Sequence, residues 1–111
     1  MQTVVETSVF IRRAEKLLSE DEHAALISYL ARHPDAGDEI VGTGGVRKLR
    51  FGAMGRGKSG GVRVIYYFYD SEIPIYALLI YGKNERANLS PEQRRSVSNM
   101  AAVIKATRKR K

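Results

Sequence analysis

Three strand-like segments in the middle of the chain decide the fold: Val46-Arg-Lys-Leu-Arg-Phe51, Val62-Arg-Val-Ile-Tyr-Tyr-Phe-Tyr69 and Ile75-Tyr-Ala-Leu-Leu-Ile-Tyr-Gly-Lys83. Each segment is rich in β-branched and aromatic residues, which favour strands. A glycine-rich loop joins the first two segments, and the turn Asp70-Ser-Glu-Ile-Pro74 joins the last two. Because such connections link antiparallel neighbours, the sequence predicts a three-stranded antiparallel meander.

Positive charge is concentrated in and around these strands. Between Ile40 and Tyr69 the chain has no aspartate or glutamate but six cations: Arg47, Lys48, Arg50, Arg56, Lys58 and Arg63. The net charge is +7, to which residues 1–39 contribute −4 and residues 40–111 contribute +11. Such asymmetry is typical of a surface that meets a polyanion, and we expect a nucleic acid. An acidic protein partner and a solvated surface without a specific ligand remain open as alternatives.

Length and composition limit the possible classes. A chain of 111 residues with 43% apolar content predicts one domain, residues 1–111, with one modest core. Since the chain has no cysteine, we expect neither disulfides nor a thiolate metal site, and we expect no metal or cofactor. The apolar runs are too short for a membrane span and Met1-Gln-Thr-Val4 does not resemble a signal peptide, so we expect a cytoplasmic protein that avoids membranes.

Helices are predicted on both sides of the meander. Residues 2–7 form a weak strand that needs a neighbour in the same sheet. From Ser8 the apolar residues recur at helical spacing, and Ser19-Glu-Asp-Glu22 is a capping box that starts a second helix, which ends before Pro34. Ser90-Pro-Glu-Gln93 predicts the start of a third helix, whose basic end, residues 105–111, we expect to fray.

The element order β-α-α-β-β-β-α indicates an α+β fold, a small antiparallel sheet with an N-terminal helical hairpin packed on one face. We expect the other face to be available for function. Because side chains alternate along a strand, Lys48 and Arg50 share that open face, whereas Arg47 points the other way.

Arg63 shares its face with two apolar neighbours, Ile65 and Tyr67. An unpaired arginine is costly to bury there, so we expect Arg63 to bind an anion, with a salt bridge to a helix acid such as Glu15 as the alternative. Lys83, at the end of the last strand, is expected near the same edge, with a solvated strand end as the alternative.

The stretch Gly52-Ala-Met-Gly-Arg-Gly-Lys-Ser59 matches the pattern of a phosphate-binding P-loop. A P-loop needs a helix directly after it, whose amide groups face the phosphates, but here Gly60-Gly61 and a strand follow. We therefore interpret it as a hairpin loop in which Arg56 and Lys58 close over a phosphate backbone. The sequence also lacks a Ser-His-Asp arrangement and metal-ligand spacing, which leaves lysine, arginine, tyrosine and the nucleic acid itself for any chemistry.

The chain resembles the RelE/HigB superfamily of bacterial toxins, and specifically its HigB-type branch. The resemblance covers nearly the whole chain and is carried by Gly42-Thr-Gly-Gly-Val-Arg-Lys-Leu-Arg50, Gly55-Arg-Gly-Lys-Ser-Gly-Gly-Val-Arg-Val-Ile-Tyr-Tyr67 and Ile80-Tyr-Gly-Lys-Asn-Glu85. It implies a RelE-like fold and a ribosome-dependent endoribonuclease that enters the ribosomal A site, cuts the bound mRNA and inhibits translation. It also implies a cognate antitoxin, usually a helix-turn-helix protein, through which the toxin reaches operator DNA only indirectly.

The resemblance also implies roles for individual residues. Arg63 corresponds to the arginine that contacts the scissile phosphate, and Lys48 and Arg50 to basic residues that hold mRNA or transfer protons. Lys83 corresponds to the cation at the end of the last strand. Four more residues are expected to contact RNA: Arg47, Arg56, Lys58 and Tyr81.

The expected cleavage chemistry needs no metal. The 2′-hydroxyl of RNA attacks the adjacent phosphate, so the protein has only to align the sugar, transfer protons and stabilise negative charge. The general base stays open, because residues 84–96 lack the tyrosine that several relatives have there.

Two other functional classes are alternatives to the nuclease. One is a non-catalytic basic module that binds RNA or the ribosome, as an inactive relative would. The other is a DNA-binding repressor, which is disfavoured because no recognition helix is evident and the cations lie on strands.

Overall fold

The computed structural model describes residues 1–52, 61–83, 85 and 88–109, which form a mixed five-stranded sheet and three helices. The elements in chain order are β1 (Val4–Glu6), α1 (Ser8–Leu17), α2 (Glu20–Arg32), β2 (Asp38–Glu39), β3 (Val46–Phe51), β4 (Val62–Tyr67), β5 (Ile75–Gly82) and α3 (Pro91–Lys109). The predicted α+β class is confirmed.

The sheet has the strand order β1-β5-β4-β3-β2. The predicted antiparallel meander of β3, β4 and β5 forms its centre. The weak first strand finds its neighbour in β5, with Val4 opposite Ile75, but the two strands run parallel, so the sheet is mixed rather than purely antiparallel. Strand β2 was not predicted, because two residues carry no readable periodicity; its pairing with β3 defines it.

Helices α1 and α2 cover one side of the sheet, which we term the hairpin face. Helix α1 begins after Thr7, whose hydroxyl accepts from Phe10 N at 3.1 Å. The predicted capping box between Ser19 and Glu22 starts α2. Residues that pack between the helices and this side of the sheet include Phe10, Ala14, Leu26, Leu30, Leu49, Val64, Tyr66 and Ile80. Tyr29 on α2 is 40% exposed.

Helix α3 covers part of the opposite side, which we term the α3 face. The helix starts as predicted: Ser90 Oγ accepts from Gln93 N at 3.1 Å, and Gln93 Oε1 accepts from Ser90 N at 3.1 Å. A buried cluster joins the helix to the strands and contains Val46, Ile65, Tyr67, Leu78, Leu89, Val97 and Ala101.

The expectation that the whole second face is open was therefore wrong. The strand residues at one end of this face are apolar, and exposing apolar surface costs about 25 cal/mol per Å². Helix α3 removes that area from water and leaves only the other end of the face uncovered.

A bulge in β5 decides which side chains reach the α3 face. Ile65 lies opposite Leu79 and Tyr66 lies opposite Ala77, so Leu78 is the extra residue. Both Leu78 and Leu79 belong to the α3-face cluster, while Ile80 returns to the hairpin face. The alternation of side chains is thereby shifted by one position for the rest of the strand.

The last turns of α3 are attached to the turn between β4 and β5. Arg108 Nε donates to Asp70 Oδ2 at 3.0 Å, and Arg108 Nη2 lies 3.1 Å from Glu72 Oε1. Lys105 Nζ lies 5.4 Å from the centre of the Tyr69 ring, within the range of a cation–π contact. The helix continues to Lys109. Fraying of residues 105–111 stays a prediction. In the described parts of the chain, no helix has the length and apolar character needed to cross a membrane.

Candidate active site

Two arginines face each other across the centre of the sheet. Arg50 on β3 lies directly opposite Arg63 on β4, and Arg63 lies opposite Tyr81 on β5. Directly opposed residues share a face of the sheet, with Cβ atoms about 4.5–5.5 Å apart. The three side chains therefore form one row across three strands on the α3 face. Like charges opposite each other are unfavourable, and an anion bound between them would relieve the repulsion.

This row leads into a cleft at the end of the sheet that α3 leaves uncovered. The cleft has a volume of about 630 Å³ and is lined by Ala36, Asp38, Lys48, Leu49, Arg50, Arg63 and Lys83. We refer to it as the basic cleft. The structure thus brings together the four residues predicted to be catalytic: Lys48, Arg50, Arg63 and Lys83. Helices α1 and α2 pack on the other face, so the sheet lies between Arg63 and the hairpin that carries Glu15.

Lys48 is held at one side of the basic cleft. Its backbone pairs with Ile65 of β4, and its Nζ donates to Asn88 Oδ1 at 3.4 Å. Asn88 precedes α3 and is 40 positions away in sequence. The segment that leads into α3 therefore contacts this ammonium group, a contact that the sequence did not indicate.

The bulge in β5 brings Tyr81 and Lys83 to the side of the cleft. Strict alternation from Ile75, a hairpin-face residue, would place positions 77, 79, 81 and 83 on the hairpin face as well. The extra residue at Leu78 reverses this, so that Tyr81 lies opposite Arg63. Lys83 lines the cleft, and its N–H donates to Gly61 O at 3.3 Å. Tyr81 is only 3% exposed and presents little surface to a ligand.

A carboxylate also reaches the basic cleft. Asp38 on β2 is the register partner of Lys48 and lines the cleft beside it. The close approach of the chain before β2 depends on Gly37, where a Cβ would lie 2.8 Å from Lys48 O. The sequence did not reveal Asp38, because its position depends on the pairing of a two-residue strand. Only a short acidic pair, Asp38-Glu39, marked this place.

Arg47 lies on the hairpin side of β3, as alternation predicted. Its Nη1 donates to Gly37 O at 2.6 Å and to Asp35 O at 3.3 Å, and its Nη2 lies 3.6 Å from Glu39 Oε2. The Tyr66 hydroxyl accepts from Gly37 N at 2.8 Å, and burial raises the pKa of this tyrosine. These contacts hold the segment before β2 in place. The RNA contact expected of Arg47 stays a prediction.

Two of the predicted RNA-binding residues, Arg56 and Lys58, lie outside the described residues, as does most of the P-loop-like stretch. Gly61 leads directly into β4 rather than into a helix. Among the residues that the structure does describe, no group of three or more histidine, aspartate or glutamate side chains could hold a metal ion.

A family model, described as the RelE toxin of the RelE/RelB toxin–antitoxin system, matches residues 3–111. The chain belongs to the RelE toxin family. The match spans every helix and strand and includes all residues that line the basic cleft. The protein is thus a RelE-family toxin, and a cognate antitoxin is its partner. The predicted superfamily is confirmed, while the HigB-type branch within it stays a prediction.

Proposed function

We propose that this RelE-family toxin is a ribosome-dependent endoribonuclease that cleaves mRNA in the ribosomal A site and so inhibits translation. The observation that supports this best is the convergence of Lys48, Arg50, Arg63 and Lys83 on one cleft. Three of these cations stand on paired strands, which hold them in place before the substrate arrives. Preorganised charge of this kind is effective at stabilising a transition state.

The reaction requires no nucleophile from the protein. The 2′-hydroxyl oxygen bonds to the adjacent phosphorus and the bond from phosphorus to the 5′ oxygen breaks, which gives a 2′,3′-cyclic phosphate and a 5′-hydroxyl end. Negative charge builds up on the phosphoryl oxygens between these events. Arg50 and Arg63 face each other where such a phosphate would bind, and their planar groups suit its oxygens.

Two proton transfers accompany the cleavage, and the cleft holds groups for both. Carboxylates are normally ionised at neutral pH and lysines are normally protonated. We therefore assign Asp38 as acceptor of the 2′-hydroxyl proton, and the two lysines that line the same cleft, Lys48 and Lys83, as donors to the leaving 5′ oxygen. This assignment supplies the base that the sequence left open.

The remaining partners follow from the same proposal. A net charge of +7 favours binding to ribosomal RNA as well as to mRNA, and both are present in the cytoplasm. The antitoxin would be a helix-turn-helix protein that silences the toxin, and operator DNA would be bound only through it.

The test is induction of the toxin in a bacterial host, with growth followed and the 5′ ends of a translated mRNA mapped. Wild-type toxin should arrest growth and produce new ends confined to translated regions. The variant Arg63→Ala should lower the cleavage rate about a hundredfold to a thousandfold, because it removes a charge that stabilises the transition state. Arg12→Ala, which removes an exposed α1 arginine away from the cleft, is the matched control and should behave as wild type.

Two results would contradict the proposal. Intact message in cells that contain folded wild-type toxin would indicate a non-catalytic module that binds RNA or the ribosome. Cleavage that survives Arg63→Ala unchanged would place the chemistry outside the basic cleft.

A further inference from the structure

A second network of charged side chains connects α1 to the end of β5. Arg13 Nε donates to Ile80 O at 3.1 Å, and Arg13 Nη2 pairs with the Glu85 carboxylate. Glu85 Oε1 also accepts from Gly82 N at 2.6 Å, and Glu85 N donates to Gly82 O at 3.0 Å. We refer to Arg13 and Glu85, with these contacts, as the Arg13–Glu85 clamp.

The clamp fixes the backbone on both sides of Lys83. The β4–β5 register ends with Gly82 opposite Val62, so Lys83 follows the last paired residue. Arg13 holds Ile80, and Glu85 closes a tight turn back onto Gly82, with Lys83 between them. The Lys83 side chain extends from this turn and lines the basic cleft.

The energetics of the clamp favour a positioning role over a stabilising one. The side chains of Arg13 and Glu85 are 35% and 42% exposed. Ion pairs as exposed as this one contribute little to the free energy of unfolding. The four hydrogen bonds of the clamp nevertheless converge on the short segment that carries Lys83. Their main effect is on where that segment lies.

We propose that Arg13 and Glu85 are positioning residues of the active site, which aim Lys83 at the reacting phosphate. The inference rests on the proposed nuclease function. A lysine side chain is long and flexible, so its ammonium group reaches one point reliably only if its backbone is fixed. Misplacement of a catalytic group by about 1 Å can lower a rate by about a hundredfold.

The experiment measures single-turnover cleavage of mRNA on purified ribosomes programmed with a short message, together with toxin binding to the same ribosomes. Arg13→Ala and Glu85→Ala should each lower the cleavage rate about tenfold to a hundredfold, with the dissociation constant changed much less. Glu85→Gln should keep most of the rate, because its amide oxygen can still accept from Gly82 N and Arg13.

Asp70→Ala is the matched control. It breaks another half-exposed ion pair with an arginine, Asp70–Arg108, whose side chains are 34% and 33% exposed and which lies outside the basic cleft. Its cleavage rate should equal that of wild type. Urea denaturation of each variant would show that the proteins compared are folded.

A double-mutant cycle with Lys83→Ala separates positioning from a general structural role. If the clamp acts through Lys83, Arg13→Ala should have no further effect once Lys83 is replaced. An undiminished effect in the Lys83→Ala background would overturn the inference, as would wild-type rates for both clamp variants or for Lys83→Ala itself. These outcomes leave the nuclease function intact, whereas absence of cleavage by wild-type toxin would overturn both proposals.

Discussion

Two residues on the same face of β4, only two positions apart, lie in opposite environments. Ile65 is fully buried under α3, whereas Arg63 lines the basic cleft. One half of the α3 face thus holds the fold together and the other half carries exposed charge. The comparison shows that a helix that covers only one end of a sheet face divides a strand between the two tasks. The boundary of the site is the place where α3 stops covering the sheet.

The largest effect is expected from the buried half. Ile65→Ala leaves a cavity where the side chain is fully buried, so it should lower the free energy of unfolding by about 2–5 kcal/mol. The fraction that remains folded should cleave RNA at close to the wild-type rate. Arg63→Ala should give the reverse pattern, with little loss of stability and severe loss of cleavage. Urea denaturation and single-turnover cleavage of both variants test this contrast. Equal losses of stability in Ile65→Ala and Arg63→Ala would contradict it.

A smaller effect of opposite sign is expected in the open half. Arg50 lies directly opposite Arg63, and like charges in that arrangement are destabilising. Arg50→Gln should therefore raise the free energy of unfolding by about 0.2–1 kcal/mol while it lowers the rate of cleavage. The gain should shrink at high salt, which screens the repulsion.

The control for this prediction is Arg12→Gln, which removes an exposed cation on α1. It should alter neither stability nor cleavage measurably. A loss of stability in Arg50→Gln would mean that Arg50 has a structural role. It would contradict the assignment of stability to the covered half of the α3 face and of function to the open half.

The smallest effect concerns the attachment of the far end of α3. A hydrogen bond from Glu72 N, followed by the Arg108 guanidinium, holds the pKa of Asp70 below its ordinary value of 3.8. Because the folded-state pKa is the lower one, this stabilisation is present above the unfolded-state pKa and is lost as the pH falls through the folded-state pKa. Asp70→Asn should therefore be slightly less stable than wild type at pH 7. Urea denaturation at pH 7 and at pH 3 should show the difference shrinking in acid, and a constant difference would contradict the assignment.

Local signals allowed much of the fold to be predicted. The capping boxes at Ser19 and Ser90 involve residues three positions apart, so they can be found in a single sequence. Alternation in the short strand β3 correctly separated Lys48 and Arg50 from Arg47. These features depend only on neighbours in the chain.

The features that the sequence did not reveal depend on tertiary pairing. No residue type marks Leu78 as a bulge, yet the bulge decides the face on which Tyr81 and Lys83 lie. Asp38 reaches the basic cleft through a two-residue strand, and Asn88 reaches Lys48 from 40 positions away. The coverage of half of one face by α3 was missed for the same reason, since the helix sequence does not state which end of the sheet it covers.

The parallel pairing of β1 with β5 affects when the chain can fold during its synthesis. The Gln2 side chain donates to Ile73 O, 71 positions later in the chain, and Val4 lies opposite Ile75. Because β1 and β5 are so far apart in sequence, they can pair only after both have been synthesised, and this delays folding. The same strand, β5, carries Tyr81 and leads to Lys83, so β1 and the Lys83 side of the basic cleft are both held by β5. A ribosome that makes this toxin therefore carries a chain without a complete cleft until β5 has emerged.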